Sequence, residues 1–202
     1  MTLMHAMHHS RRPTKHILHQ LLHHHHHRHA STQPNNFSLV QVQTHHNMPS
    51  LLSTANLPAG ATLFQFTGAL LTENTGDRCL QVGHARWITP RPNEHEPPWV
   101  FLNHSFQPSV RISHPFLGED DTTSGNEESF LVTATATVDV AKDTPLTIDY
   151  TLHEHLMFGQ GFECAESGRS VRGWLHLTDE EKQDSLPHAM KHIQLLHNED
   201  TK

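Results

Sequence analysis

Residues 130–138, Phe-Leu-Val-Thr-Ala-Thr-Ala-Thr-Val, carry the clearest periodicity in the chain. Phe130, Val132, Ala134, Ala136 and Val138 fall on one side and the threonines on the other, the period of a strand half buried in a sheet. A helix cannot use this pattern, because its repeat of about 3.6 residues would scatter both sets around the axis. Other short apolar runs agree with a sheet. Phe37, Leu39, Val40 and Val42 predict a first strand, and Leu51 to Leu57 is a second apolar stretch. After the turn Pro58-Ala59-Gly60, residues 61–68 have strand composition and end at Gly68. Trp99-Val100-Phe101-Leu102 reads as a short buried strand running into Asn103, and Leu146-Thr147-Ile148 as another. Pro90, Pro92, Pro97 and Pro98 make 86–98 an ordered loop or crossing segment. Helical signals come late: Thr178-Asp179-Glu180-Glu181 is a capping box, and Leu186, Met190, Ile193 and Leu196 keep helical spacing. The expected class is mostly β (β+α), several short-stranded sheets with a C-terminal helix, and not a doubly wound α/β enzyme.

The length of 202 residues fits one domain with tails. With 35% hydrophobic residues, part of the chain is expected outside any core. All 21 acidic residues fall after residue 72, whereas Arg11, Arg12, Lys15 and Arg28 precede it. An acidic body argues against direct nucleic-acid binding, which needs clustered Lys and Arg. It suits a basic partner such as a lysine-rich tail, and equally serves as ordinary solubilising charge. Residues 1–36 are basic, acid-free and histidine-rich, with five histidines in a row at 23–27. They read best as a disordered low-complexity leader, although organellar import and metal binding also suit that composition. Acidic 118–129 reads as a surface loop. Only Cys79 and Cys164 occur, so neither a disulfide scaffold nor a four-cysteine zinc site is available. Without a membrane-length apolar run or a secretory signal, the expected location is intracellular, nucleus or cytoplasm, or an organelle if the leader directs import.

Asn103-His104-Ser105-Phe106-Gln107-Pro108-Ser109 resembles the Asn-His-Ser-Cys-x-Pro-Asn segment of SET domains, the fold of most protein-lysine methyltransferases. Residues 142–150, ending Leu146-Thr147-Ile148-Asp149-Tyr150, resemble that family's Gly-x-Glu-Leu-Thr-x-x-Tyr. Residues 57–68 resemble its early strand pair, and Gln81-Val82-Gly83 a further strand. Phe162-Glu163-Cys164 followed by Arg172-Gly173 resembles its post-SET segment. These pieces, in order, span roughly residues 37–175. The resemblance implies a SET-like domain over 37–175, with the C-terminal helix and tail at 176–202.

Two departures matter. In the family, three post-SET cysteines and a fourth near the active site hold a zinc ion that orders the cofactor lid. Here only Cys164 remains; Glu166, about Val171, and Phe106 take the other positions. One thiolate cannot hold that metal, so no metal is expected, and the lid must order by packing of Phe162 and Trp174 or stay loose. The family's early Gly-x-Gly loop is also missing. Residues 44–50 contain no glycine, and a side chain there would crowd the methionine end of the cofactor.

The resemblance implies transfer of a methyl group from S-adenosyl-L-methionine to an exposed lysine of a protein substrate, histone or non-histone. The cofactor carries the activated group, and the protein positions and desolvates the reactants. Tyr150, the sole tyrosine, would be the catalytic hydroxyl beside the methyl and the amine. Asn103 would hydrogen-bond the cofactor's amino-acid end, and His104 would contact the adenine through its backbone, unless both simply cap a strand end. Phe162 would stack on the adenine or be an ordinary core residue. His153-Glu154-His155 has metal-ligand types, but histidine is abundant throughout, and a loop with incidental histidines is preferred. The rival reading is a weak or inactive SET-fold scaffold with no need of the cofactor.

Overall fold

The computed structural model describes residues 37–115 and 131–201, apart from 47, 77, 93 and 95. The leader at 1–36, the acidic loop at 118–129 and Phe130 lie outside the described residues.

Twelve short strands and two helices make up the described chain, mostly β with a helical C-terminus as expected. A 3-10 turn at Phe37–Leu39 precedes β1 (Val40–His45), which pairs antiparallel with β2 (Met48–Ser53). β3 (Thr62–Phe66) and β8 (Val110–Ser113) flank β9 (Val132–Ala136) in a three-stranded antiparallel sheet. β4 (Ala69–Leu71) and β5 (Leu80–Gly83) flank β6 (Arg86–Thr89) in a second one. β7 (Asn103–His104) pairs parallel with β10 (Thr147–Ile148), and β11 (Phe162–Glu163) pairs antiparallel with β12 (Ser170–Val171).

The alternation in 130–138 is realised in β9, the central strand of its sheet. Val132, Ala134 and Ala136 are buried between registered neighbours: Ala134 lies opposite Phe64 on one side and Ile112 on the other. A methyl group at that crossing leaves room for both larger side chains, which is how a core alternates small and large residues. The threonine face is only half buried, and Thr133 accepts a hydrogen bond from the Gln65 amide at 3.1 Å. Val138, expected on the apolar face, is 52% exposed because the strand has already ended at Ala136.

Three other expectations need correction. The proposed strand at 99–102 is a 3-10 helix, Pro98–Phe101, with proline at its start, where a fixed φ and a missing N–H cost nothing. Its Trp99 stacks on Phe66, with ring centroids 4.8 Å apart and planes at 13°. The segment expected to be loop from residue 86 begins as strand β6, because every proline in it lies after Thr89. The expected C-terminal helix is split into α1 (Asp179–Ser185) and α2 (Lys191–Asp200), since Pro187 cannot continue α1. The Thr178–Glu181 capping box is present, with both reciprocal hydrogen bonds made.

Two apolar clusters result. The larger is built from the sheets, with Leu51, Leu63, Phe64, Val110 and Val132 among its members. The smaller gathers Trp174, Ala189 and Ile193, against which Leu152, Leu186 and Met190 pack. No described helix is long and apolar enough to cross a membrane.

Leu63→Ala, at a fully buried position, is expected to cost about 2–5 kcal/mol. Val138→Ala, at an exposed one, is expected to stay within about 0.5 kcal/mol. Urea denaturation midpoints check both, and a Val138 loss as large as that of Leu63 would overturn the assignment of the strand's end.

Candidate functional site

The short parallel pairing of β7 with β10 assembles the site. Asn103 registers with Thr147 and His104 with Ile148, and the Ser105 N–H donates to the Ile148 carbonyl at 3.0 Å. Asp149 and Tyr150 leave the end of β10 and enter a 3-10 turn, Tyr150–Leu152. The Asp149 carboxylate caps that turn, accepting from the Thr151 N–H at 2.9 Å and the Thr151 hydroxyl at 2.7 Å. Burial raises the Asp149 carboxyl against those hydrogen bonds and the nearby Arg169 charge.

His104 is a structural post for the tyrosine. Its Nδ1 accepts the Tyr150 backbone N–H at 3.2 Å, so the ring proton resides on Nε2. Burial, reinforced by the Arg169 charge, lowers His104 to about 4 and keeps it neutral. Its ring is flanked edge-on by Phe106, Tyr150 and Phe162, at centroid distances of 4.5, 5.4 and 5.8 Å. The Tyr150 hydroxyl donates to the Leu102 carbonyl at 2.7 Å. Asn103 uses its amide N–H groups on the Pro49 carbonyl, at 3.1 Å, and the Ser50 hydroxyl, at 2.8 Å. Its carbonyl oxygen is left as an acceptor.

These residues face one cavity of about 740 Å³, and Asn103, His104, Tyr150 and Phe162 all line it. That volume lies within the range of small-molecule sites, roughly 300–1,000 Å³. The hairpin of β1 and β2, whose His46 has φ 50°, sets Met48 and Pro49 on the same wall. Met48 is 56% exposed there, at the place where a glycine loop was expected by resemblance and not found. Phe162 is 42% exposed and presents its ring to the cavity, so it is not a core residue. Gly161 makes that approach possible. Its φ is +75°, and a Cβ there would fall 2.2 Å from the Val171 carbonyl oxygen.

His153-Glu154-His155 is a loop as read, and its Glu154 is a buried residue of the cavity wall. One carboxylate oxygen accepts the Gln81 N–H at 2.7 Å, while the Gln81 side chain accepts the His155 N–H at 2.8 Å. The other oxygen has no hydrogen-bond partner; the Trp87 indole approaches the carboxylate without reaching hydrogen-bond geometry. Burial pushes the Glu154 carboxyl up to about 7, against those donors. His153, also on the wall, is fully enclosed, and burial together with the His192 and His114 charges lowers it to about 3. The His153 carbonyl contacts His192 Nε2 of α2 at 2.8 Å, and the Leu152 carbonyl accepts the Met190 N–H at 2.9 Å. His155 turns outward to Asp200 at 3.0 Å. Among the described residues no group of three His, Cys, Asp or Glu could hold a metal ion. Glu154 carries no sequence signal of its role, because its partner Gln81 is 73 positions away.

The segment from Gly161 to Gly173 closes over Ser105 and Phe106. Glu166 accepts from the Ser105 hydroxyl at 2.7 Å, and the Arg169 guanidinium lies 3.8 Å from the Phe106 ring centroid. Packing by Phe162 and Trp174 was expected to order this segment. Phe162, although half exposed, packs edge-on against His104 and Tyr150, and the polar and cation–π contacts add to that packing; Trp174 is wholly buried in the C-terminal cluster. Cys164 sits in the turn. Burial pushes its thiol up, and hydrogen bonds from the Ser167 hydroxyl and the Ser167 and Glu166 amides more than reverse this.

No family model and no curated protein matches the chain. Among solved structures, the chain is similar to a Plasmodium falciparum protein described as a "putative histone methyltransferase", at 14% identity and a TM-score of 0.42. The likeness covers 55% of this chain and 91% of that one. At that level the case for activity rests on the residues themselves.

The Glu154 carboxyl has a folded pKa of about 7, above its ordinary 4.5. Its contribution to stability is therefore complete below about 4.5 and lost as pH rises through about 7. Glu154→Gln removes that loss. Relative to wild type, the variant is expected to gain on the order of 2 kcal/mol between pH 5 and pH 8. Parallel stability profiles for the two proteins across that range would show an ordinary carboxyl.

Proposed function

We propose that the chain is a SET-type protein-lysine methyltransferase that uses S-adenosyl-L-methionine. One observation carries the reading: β7 and β10 pair in parallel and deliver Asn103, His104 and Tyr150 together to the wall of a mainly apolar cavity. That is the set of residues the sequence resemblance names, brought together by long-range contacts.

The residues fit the cofactor in size and in donor chemistry. Asn103 has spent its N–H groups on the protein, and its carbonyl oxygen suits an ammonium group at the amino-acid end. The exposed ring of Phe162 suits a flat heterocycle. When bound, the cofactor supplies an activated methyl group. The chain's own work is positioning and desolvation. Apolar walls disfavour a charged lysine amine and so lower its pKa toward the reactive neutral form. Tyr150, held by Leu102 at its hydroxyl and by His104 at its N–H, presents a fixed oxygen to the amine. The substrate is proposed to be a lysine-bearing protein segment, to which the acidic body is complementary in charge.

One observation favours the scaffold reading. Met48 stands on the cavity wall where the resemblance places glycine, and it lines the same cavity as Asn103.

Calorimetric titration of the full chain with S-adenosyl-L-methionine separates the two. Saturable one-to-one binding, with transfer of labelled methyl to lysine-rich peptides, is expected. Tyr150→Phe is expected to cut transfer by at least roughly tenfold while leaving cofactor affinity within about threefold, as loss of one positioning contact at the reacting centre implies. Absence of binding up to millimolar cofactor by the folded protein would establish the scaffold.

A further inference from the structure

We propose that Arg169 is the positioning residue of a clasp that seats residues 161–173 on the Asn-His-Ser segment and so holds Phe162 at the cavity, without a bound metal. This deepens the methyltransferase reading and rests on it only for the identity of the ligand.

The segment makes two independent side-chain attachments to the two residues after His104. Arg169 sits over the Phe106 ring with its guanidinium carbon 3.8 Å from the centroid, and Glu166 accepts the Ser105 hydroxyl at 2.7 Å. Arg169 also donates to Glu181, the capping-box carboxylate of α1, which gives the guanidinium a second anchor. The backbone transmits the hold. The Cys164 N–H donates to the Arg169 carbonyl at 2.8 Å, closing the turn between β11 and β12, and Phe162 registers with Val171. A guanidinium fixed at one end of this small hairpin thus fixes the phenylalanine at the other. The same charge lies close enough to His104 and Asp149 to disfavour a proton on either, so the clasp is electrostatically joined to the post beneath Tyr150.

The chemistry leaves no opening for a metal to do this work. Cys164 is the sole thiol in the segment, and the Glu166 carboxylate is committed to Ser105. Phe106, having no donor atom, offers only a ring face, and a cation completes it.

Amide hydrogen exchange by residue, with and without chelator, tests the clasp, and S-adenosylhomocysteine affinity tests its consequence. Arg169→Gln is expected to speed exchange roughly five- to tenfold in 162–171 and to leave the amides of α2 unchanged, as the loss of a cation–π contact and a half-exposed ion pair implies. Phe106→Leu, which keeps apolar bulk without a π face, should reproduce the effect, while Phe106→Tyr restores wild-type exchange. The double variant should be no worse than the worse single one, because both remove the same contact. S-adenosylhomocysteine should bind roughly three- to tenfold more weakly to Arg169→Gln. Unchanged exchange in 162–171, equal behaviour of Phe106→Leu and Phe106→Tyr, or loosening of the wild type by chelator would overturn the clasp. Faster exchange with unchanged affinity would overturn its link to the cavity. A wild type that shows the exchange pattern but binds no S-adenosylhomocysteine keeps the clasp and removes the methyltransferase reading instead.

Discussion

The pairing of Asn103 with Thr147 and His104 with Ile148 is the constraint from which the rest of the site follows. Parallel strands cannot be joined by a tight turn, so the chain must travel before it returns, and β8 and β9 fill that excursion. On return, Tyr150 arrives beside His104, and its N–H finds the Nδ1 acceptor. A slip of one residue would reverse which side chains face the cavity. What fixes the register is local. Asp149 caps the following turn, Ser105 donates to Ile148, and Ser109 and Thr147 exchange side-chain to backbone hydrogen bonds at 3.3 and 3.1 Å. Two residues of strand would be negligible alone; the surrounding hydrogen bonds make them specific.

Around that pairing the site divides its polar groups by accessibility. His104, His153 and His192 are kept neutral by burial, and Glu154 is held near the point where it takes a proton at neutral pH. The more exposed contacts of the covering segment, Arg169 with Phe106 and with Glu181, gain little individually. The buried histidines are thus neutral, while the segment over them is fastened by groups still in touch with water. Such a division lets the cover open at modest cost without disturbing the wall.

Local periodicity carried the fold class. Residues 132–136 alternate visibly, Thr178 and Glu181 signal a helix start by type and spacing, and both appear as read. The residues at 98–101 did not reveal themselves, because Trp-Val-Phe has strand composition and the proline before it decides otherwise. Pro187 could have divided the late helix, yet the apolar spacing of Leu186, Met190 and Ile193 runs across it. In the site, the resemblance named the four residues that the fold gathers at the cavity. Glu154 and Arg169 were not legible. Each acquires its character from residues distant in the chain, Gln81 for the first and Phe106 for the second, and no local pattern records such a meeting.

The docking of α2 on Leu152 and His153 gives the protein an order of assembly in time. The loop after Tyr150 receives one support from residue 81, made long before it, and another from residues 190–192, made well after it. During synthesis the tyrosine therefore emerges into a half-built seat and waits for the chain to double back. Contacts this far apart in sequence close slowly, since loop entropy must be overcome before any of them is rewarded. The seat of Tyr150 is therefore complete only once α2 has been made and has packed back onto Leu152 and His153.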